Sequence, residues 1–342
     1  MGGGGSAGNS SGRHAYYDRD VSDRSRRTAQ GTTPISEQLV SRQEVDPRLL
    51  PMGRRLVCNA RSPIAYDFDI TGSMGNKPKI IVDKMPLIAG QVVIGKYLDD
   101  PMMSIGAIGD APKGDKGPIQ IADFDELRKL DAWFSRVWVE GGGGGNGIES
   151  YELAAYQRAF YCDIPDAVTP FYLITGDEGV DDSVSGTLLR EFFGGECQTT
   201  STQEIYDVLK KKFKGNVFRI NFPYGGGISN TKYILQTWRE LLGGDHVLEM
   251  RSDLAIGDVT LGIFALIGGS RTLDQYCVDM RELRAEAQTE QRIAEVRETL
   301  KPLQLLAHHA HSAWLERQEQ EVPNQKEEKK GKQDPKKKVD WL

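Results

Sequence analysis

The sequence predicts an α/β fold: a doubly wound, mostly parallel sheet with one antiparallel edge strand, helices on both faces and a C-terminal helical extension. Between residues 55 and 270, short apolar runs of strand length alternate with longer segments of helical periodicity. Two of these apolar runs end in polar loops that carry Asp69 and Asp177. Loops at the carboxyl ends of parallel strands form the ligand crevice of such sheets, so a site is expected there.

The composition is that of a globular chain with polar ends. Its 342 residues are 39% hydrophobic and 27% charged, enough for one large domain or two small ones. The net charge of −6 argues against a partner that is nucleic acid. No run of about 18 apolar residues occurs, so no transmembrane segment is expected. Four widely separated cysteines predict free thiols in a reducing compartment, and hence a cytoplasmic location.

The N-terminal tail, residues 1–50, is poor in apolar residues and is predicted to be disordered. Residues 1–6 match a loose myristoylation pattern, but a plain flexible leader is the preferred interpretation. The main domain is then predicted to span residues 55–270.

The first half of this domain contains an apolar run that ends at Asp69 and a helix whose apolar residues are densely spaced. A Gly- and Pro-rich turn at residues 111–118 is followed by an alternating segment, which predicts the antiparallel edge strand. The predicted elements are a strand to Asp69, a helix over 79–98, strands over 103–110 and 119–124, and a helix over 124–139.

The second half repeats the alternation of strand and helix, which predicts a parallel sheet. The predicted elements are a Gly-rich loop over 140–150, a central strand over 169–174, a surface loop over 180–186, strands over 216–221 and 245–250, and helices over 151–161, 187–193, 202–213, 230–242 and 253–267. In the last helix, Leu254 is expected to face inward with Ile256, Val259, Ile263 and Leu266.

Residues 271–322 form the predicted helical extension, with one long helix over 272–300 and a second after Pro302. The polar middle of the first helix is expected either to pack at its ends or to extend and bind a partner. His308 and His311 could share a helical face, although surface histidines are the preferred interpretation over a metal pair. Residues 323–342 are predicted to be a Lys-rich disordered tail.

Asp69, Thr71 and Ser73 follow the first strand at a spacing of two residues. One carboxylate and two hydroxyls on one loop suit a hard divalent cation such as Mg²⁺, which prefers oxygen ligands. Gly72 relieves steric limits between the two hydroxyl residues. The alternative is that these polar residues form a turn and cap a helix.

This Asp-x-Thr-x-Ser run resembles the metal-ion-dependent adhesion site of von Willebrand factor A (VWA) domains. In that family a second loop supplies a ligand, which is usually Thr. The second loop of this sequence contains no Thr. Glu149 stands at the position where some members, integrin β chains among them, use Glu instead. Asp177 matches the acid of the third loop, although it follows Gly176 where the family more often has Asp-Gly. The resemblance therefore implies that Asp69, Thr71, Ser73, Glu149 and Asp177 hold Mg²⁺, Mn²⁺ or Ca²⁺, with Glu149 or Asp177 acting through water.

The resemblance also implies a function, because the open coordination position of such a site receives a Glu or Asp of a partner protein. The expected protein is an intracellular scaffold or adaptor rather than an enzyme. By analogy with bacterial and archaeal relatives alone, an AAA+ ATPase or another multi-protein complex is an expected partner. Asp110 and Asp115 are expected at the same end of the sheet, where they could tune the ion, hold a second cation or, preferably, cap a turn.

Two other functions stay open at this point. Asp67 and Asp69 could form the Asp-x-Asp pair of a Mg²⁺-dependent phosphotransferase or phosphatase. That interpretation leaves Thr71 and Ser73 without a role, and no downstream basic residue completes the site. A phosphate-binding loop at the glycines is disfavoured, because no Gly-Lys-Ser/Thr follows them. The other alternative is a metal-free structural protein whose long C-terminal helix mediates assembly.

Overall fold

The computed structural model describes residues 44–140, 148–225, 228–283 and 288–331. Of the leader predicted over residues 1–50, residues 1–43 lie outside this part of the chain. Most of the Gly-rich loop (141–147) and the end of the Lys-rich tail (332–342) lie outside it as well.

Strands of the described residues are short outside the central sheet. They are β1 Leu56–Val57, β2 Ser62–Asp69, β3 Pro101–Ile108, β4 Ile119–Ile121, β5 Asp125–Glu126, β6 Ile148–Glu149, β7 Cys162–Asp163, β8 Phe171–Gly176, β9 Gly179–Val180, β10 Ser183–Val184, β11 Thr200–Ser201, β12 Val217–Asn221 and β13 Val247–Glu249.

Helices follow most of the long strands. They are α1 Lys77–Ile94, α2 Leu130–Phe134, α3 Tyr151–Phe160, α4 Gly186–Phe193, α5 Thr202–Lys212, α6 Ile228–Leu242, α7 Ile256–Ile267, α8 Leu273–Glu282, α9 Glu290–Leu300 and α10 Gln304–Gly331.

The central sheet has the strand order β4-β3-β2-β8-β12-β13, with β5 paired to β3. All pairs are parallel except those that β4 and β5 make with β3. This confirms the predicted fold class, including the antiparallel edge strand, and it is the architecture that the resemblance to VWA domains implies. Counted along the chain, the six strands follow the 3-2-1-4-5-6 order of doubly wound folds, which reverses between β2 and β8.

β2 is buried along its whole length because helices cover both faces of the sheet. Tyr66 and Phe68 point into the core formed with α1 and α7, whereas Ala65 points into the core formed with α3 and α5. The alternation of side chains along a strand therefore places Asp67 and Asp69 on the face that α3 covers.

The helix predicted over 124–139 is wrong in extent. Strand β5 and a short 3-10 turn, Leu127–Lys129, take up its first half, and only α2 is α-helical. Leu130 and Phe134 are nevertheless buried in the core, so the apolar spacing reported burial correctly. The pairing of β5 with β3 overrides the helical periodicity of the segment. The predicted surface loop over 180–186 likewise contributes strands β9 and β10.

The long helix predicted over 272–300 is also wrong, because α8 and α9 are separate. Each begins at a threonine cap: Thr272 in a reciprocal capping box and Thr289 through a bond from the amide of Arg292. Tyr276 and Val296 are fully buried in the main core, so both helices cover the domain.

Two further expectations differ from the structure. Leu254 is 54% exposed, because it lies in a 3-10 turn before α7 rather than on the inner face of that helix. Helix α10 includes residues 323–331, part of the predicted tail, where Gln, Glu and Lys favour helix.

None of the described helices is both long and apolar enough to cross a bilayer.

Candidate metal centre

The site is built on the loop that follows β2. The Oδ1 atom of Asp69 accepts hydrogen bonds from the amide nitrogen of Thr71 at 2.8 Å and from its hydroxyl at 2.6 Å. The chain then enters a 3-10 turn, Gly72–Met74, which carries Ser73 back over the same point. The spacing of two residues thus brings the three side chains together, as the sequence predicts.

The hydroxyls connect this loop to the end of β8. The Oγ1 atom of Thr71 lies 3.2 Å from the Oγ atom of Ser73, which donates to Oδ1 of Asp177 at 2.9 Å. β2 and β8 are neighbours in the sheet, with Phe68 opposite Thr175. Asp69 and Asp177 therefore stand at the point where the strand order reverses. The hydroxyls of Thr71 and Ser73 lie side by side between them, and each donates its one hydrogen to one of the two carboxylates.

Tyr151, the first residue of α3, holds the other oxygen of Asp69. Its hydroxyl donates to Oδ2 at 2.5 Å. Gly176 makes room for this contact, because a Cβ atom there would lie 1.9 Å from the tyrosine oxygen. Tyr151 was missed in the sequence, although its place directly after Glu149 and Ser150 at the start of a helix was a usable signal.

A buried arginine packs against the ring of Tyr151. The guanidinium of Arg219, on β12, lies 4.3 Å from the ring centre of Tyr151 and 4.5 Å from that of Trp238. Its Nη2 atom also donates to the Tyr151 hydroxyl at 3.3 Å and to the carbonyl of Glu178 at 3.1 Å. Because Arg219 is fully buried, it places a fixed positive charge beneath the acidic site.

Asp177 is engaged at both of its oxygens. Ser73 donates to Oδ1, and the ammonium group of Lys77 lies 3.3 Å from Oδ2. Lys77 is itself only 15% exposed and lies 5.6 Å from the ring centre of Phe222. Asp177 is therefore arranged to orient the hydroxyl of Ser73, with its own charge balanced by Lys77.

Glu149 reaches the site from β6, which pairs with β9. Its side chain is buried, and neither carboxylate oxygen has a partner at ordinary hydrogen-bond geometry among the described residues, although the nearby hydroxyl of Thr71 acts to lower its pKa. The carboxylates of Glu178 and Asp110 are likewise buried without a partner at such geometry among the described residues. A buried carboxylate without a donor is costly, and it indicates a group, such as a cation, that would complete the site.

The electrostatics of the carboxylates agree with this interpretation. Burial raises the pKa of Asp69 to about 6, although hydrogen bonds from Thr71 and Tyr151 oppose the shift. Burial, followed by the charges of Asp69 and Glu178, raises the pKa of Glu149 to about 10. Burial and the charge of Asp177 raise the pKa of Glu178 to about 7. Without a cation, these carboxyl groups disfavour one another's ionised forms.

The donor set fits a hard divalent cation, because it contains carboxylate and hydroxyl oxygens only. Among the described residues, no three His, Cys, Asp or Glu side chains are placed to hold a metal ion by themselves. Any ion at this site would therefore need the hydroxyls of Thr71 and Ser73 beside the carboxylates. Glu178 was missed in the sequence, although it directly follows Asp177.

The other sequence candidates have different surroundings. Asp115 accepts a hydrogen bond from the amide of Asp110 at 2.8 Å, so it caps the turn. A ring nitrogen of His311 lies 2.6 Å from the carbonyl of Gly269, which ties this histidine to the end of α7.

Asp67 is locked in a buried ion pair rather than facing the metal centre. The Nη2 atom of Arg158 lies 2.6 Å from Oδ1 of Asp67, and both side chains are fully buried. The Nε atom adds two bonds of 3.2 Å. Burial disfavours the charged guanidinium, yet Asp67 outweighs that effect and the pKa of Arg158 rises.

Comparison with known proteins finds no matching family model and no matching curated protein. Among solved structures, the chain is similar to the pilus adhesin SpaC from Lactobacillus rhamnosus GG (9% identity, TM-score 0.43, 63% of this chain and 32% of that one). It is also similar to proximal thread matrix protein 1 from the mussel byssus, described with a zinc-occupied MIDAS motif (11% identity, TM-score 0.40, covering 62% of this chain and 47% of that one). The chain thus spans half or less of these proteins, and the likenesses carry no argument about function.

Proposed function

We propose that this protein is a metal-dependent protein–protein interaction module. A divalent cation, with Mg²⁺ preferred over Mn²⁺ and Ca²⁺, binds at Asp69, Thr71 and Ser73 and receives an acidic side chain of a partner protein. The observation that supports this most strongly is the pair of adjacent hydroxyls, Thr71 donating to Asp69 and Ser73 donating to Asp177, beside the buried carboxylate of Glu149. When bound, the cation supplies positive charge to these oxygens and attracts the partner's carboxylate.

Each residue of the site has its own part in the proposal. Asp69, Thr71 and Ser73 are direct ligands, and Glu149 binds directly or through water. Asp177 acts through Ser73, whose hydroxyl it orients. Asp69 and Glu149 would balance a divalent cation, and Lys77 balances Asp177, so the ion keeps an affinity for an anionic group.

The partner is a protein that presents Asp or Glu, and the module acts as a scaffold or adaptor. We propose a reducing, cytoplasmic location, because the four cysteines are unpaired and three of them are buried. The AAA+ ATPase partner that the VWA resemblance implies has no support in the structure and stays a prediction.

A phosphotransferase is the second candidate, and the pairing of Asp67 disfavours it. A nucleophilic carboxylate needs a free oxygen, whereas Arg158 donates to both oxygens of Asp67. Mg²⁺-dependent hydrolysis of p-nitrophenyl phosphate measures this directly. Turnover that Asp67→Asn abolishes would overturn the interaction module in favour of an enzyme.

The experiment that tests the proposed function is a pulldown with and without chelator. The full chain is immobilised and incubated with lysate in Mg²⁺ or in EDTA, and captured proteins are identified by mass spectrometry. We expect partners that the wild type retains in Mg²⁺ and loses in EDTA, and that the Asp69→Asn variant does not retain. The control variant Asp166→Asn, which lacks an exposed carboxylate elsewhere, should retain them in Mg²⁺. Partners that stay bound in EDTA and in Asp69→Asn would favour the metal-free assembly protein.

A further inference from the structure

A cavity of about 530 Å³ lies at the N-terminal edge of the sheet. Its walls include Ser62 and Pro101, the first residues of β2 and β3, together with the end of α1 and one face of α10. The metal centre lies at the other end of β2, roughly 25 Å away at the rise of a strand. The cavity is therefore separate from the site described above.

The lining of the cavity is basic. It contains Arg61, Lys96 and Arg317 but one acid, Asp99, in a chain whose net charge is −6. Arg61 is paired with Asp99, whose Oδ2 atom lies 2.6 Å from Nε. Lys96 and Arg317 both line the cavity, and neither has an ion pair among the residues whose side chains are described.

Lys96 has an unusual backbone for a lysine. It follows the last turn of α1 with a φ of 50°, the left-handed region that glycine normally occupies at this position of a helix end. The amide of Tyr97 bonds to the carbonyl of Val92, and that of Lys96 to Val93, which completes the motif. Such a conformation costs about 1 kcal/mol or more in a non-glycine residue and is often found at functional sites.

A second lysine also has a left-handed backbone, and its side chain has a structural role. Lys214, with a φ of 54°, follows α5 in the same kind of motif. Its ammonium group donates to the carbonyl of Ala167 at 2.7 Å and to that of Val168 at 3.3 Å. No such bond holds the ammonium group of Lys96 among the described residues, which leaves it available to a ligand.

Helix α10 adds an aromatic side chain to the lining of the cavity. Trp314 of α10 is partly buried and stacks on His311, with ring centres 6.0 Å apart and planes at 8°. Gly269 lets α10 approach, because a Cβ atom there would lie 2.7 Å from the Cβ atom of Trp314. The indole thus lines the cavity together with Lys96 and Arg317.

We propose that this cavity binds a small anionic ligand with a flat aromatic ring, whose charge lies at Lys96 and Arg317 and whose ring lies against Trp314. The volume falls within the range of small-molecule sites, about 300–1,000 Å³. Binding there does not depend on the metal centre, and it adds a second ligand to the proposed interaction module.

Fluorescence titration with 8-anilinonaphthalene-1-sulfonate, an aromatic anion, tests this on the full chain. We expect saturable 1:1 binding, weakened about tenfold by Lys96→Met or by Arg317→Met, since a charged contact contributes about 1.5–3 kcal/mol. Lys211→Met, which removes an exposed charge from α5, should leave the affinity unchanged. Two comparison probes are tested separately: N-phenyl-1-naphthylamine, which is aromatic but neutral, and inorganic phosphate, which is an anion without a ring. Each should bind at least tenfold more weakly than 8-anilinonaphthalene-1-sulfonate.

Lys96→Gly separates a ligand-binding role from a structural one. Glycine suits the left-handed position, so the midpoint of thermal unfolding should stay level or rise while affinity for the aromatic anion falls. The proposal is overturned if the wild type shows no saturable binding, if either comparison probe binds as tightly, or if Lys96→Gly keeps full affinity.

Discussion

The hydroxyl of Tyr151 lies 2.5 Å from Oδ2 of Asp69 and fixes the orientation of that carboxylate. Arg219 and Trp238 pack against the tyrosine ring in turn, so buried side chains support the loop that follows β2. Outer contacts of this kind set the orientation of a ligand before any ion binds.

Tyr151→Phe removes this donor while keeping the ring. We expect the affinity for Mg²⁺ to fall about 10- to 100-fold, the usual effect of losing an outer-shell partner. Isothermal titration calorimetry gives the affinity. Tyr206→Phe is the matched control, because Tyr206 is also fully buried against Trp238 but its hydroxyl has no partner among the described residues. Equal affinities in both variants and the wild type would show that Tyr151 does not position Asp69.

Gly176→Ala should disturb the same contact from the other side. A methyl group would lie 1.9 Å from the Tyr151 oxygen, so the tyrosine or β8 must shift. We expect a loss of stability of about 1–3 kcal/mol by urea denaturation, together with weaker Mg²⁺ binding. Gly225→Ala is the control, since a Cβ atom there meets nothing within 4 Å. A Gly176→Ala variant as stable as that control would contradict the close approach.

Glu152, on α3, gives a pH dependence that can be measured apart from the metal ligands. Burial, followed by the charge of Asp181, raises the pKa of Glu152 to about 8. Between about pH 4.5 and 8 the folded state therefore keeps a proton that the unfolded state releases. Stability should fall as pH rises through this window, by at most ~1.4 kcal/mol per pH unit for this one group.

Glu152→Gln mimics the protonated side chain and should remove this contribution. Urea denaturation at intervals from pH 5 to 9 gives the free energy of unfolding of both proteins. The difference between them isolates Glu152, because the other buried carboxyl groups are common to both. A difference that does not change with pH would mean that Glu152 titrates normally in the folded protein.

The ion pair between Arg158 and Asp67 should matter for stability, because both groups are fully buried. Arg158→Met leaves Asp67 uncompensated, and we expect a loss of about 3–5 kcal/mol in the free energy of unfolding. The double variant with Asp67→Asn should recover part of that loss. If Arg158→Met were as stable as the wild type, Asp67 would not be held as the structure shows.

Much of the fold is predictable from the sequence because its strands are long apolar runs and its helices have clear periodicity. Such signals locate β2, β3, β8 and β12 together with helices α1, α4, α5 and α6. Local periodicity cannot show that β5 pairs with a distant strand, so it predicts a single helix over residues 124–139. Nor does it detect the break between α8 and α9, because the polar residues there are also good helix formers.

The candidate site is predictable where its residues lie close together in the sequence. Asp69, Thr71 and Ser73 form a local motif, and Asp177 is found because it matches the acid of the third loop in the resemblance to VWA domains. Lys77 and Arg219 could not be found in this way, since their roles depend on contacts across the sheet and between loops. The roles of Asp69, Thr71, Ser73, Glu149 and Asp177 as metal ligands stay a prediction.

Calorimetric titration of the full chain with Mg²⁺, for the wild type and for Asp69→Asn, tests the central claim most directly. The asparagine keeps an oxygen that can accept from Thr71 or Tyr151, so the fold should survive, as circular dichroism would show. We predict one saturable site in the wild type and at least a tenfold loss of affinity in the variant, since removing a charged ligand costs more than about 1.4 kcal/mol. A wild type that binds no Mg²⁺, Mn²⁺ or Ca²⁺, or a variant that binds equally well, would contradict a metal centre at Asp69.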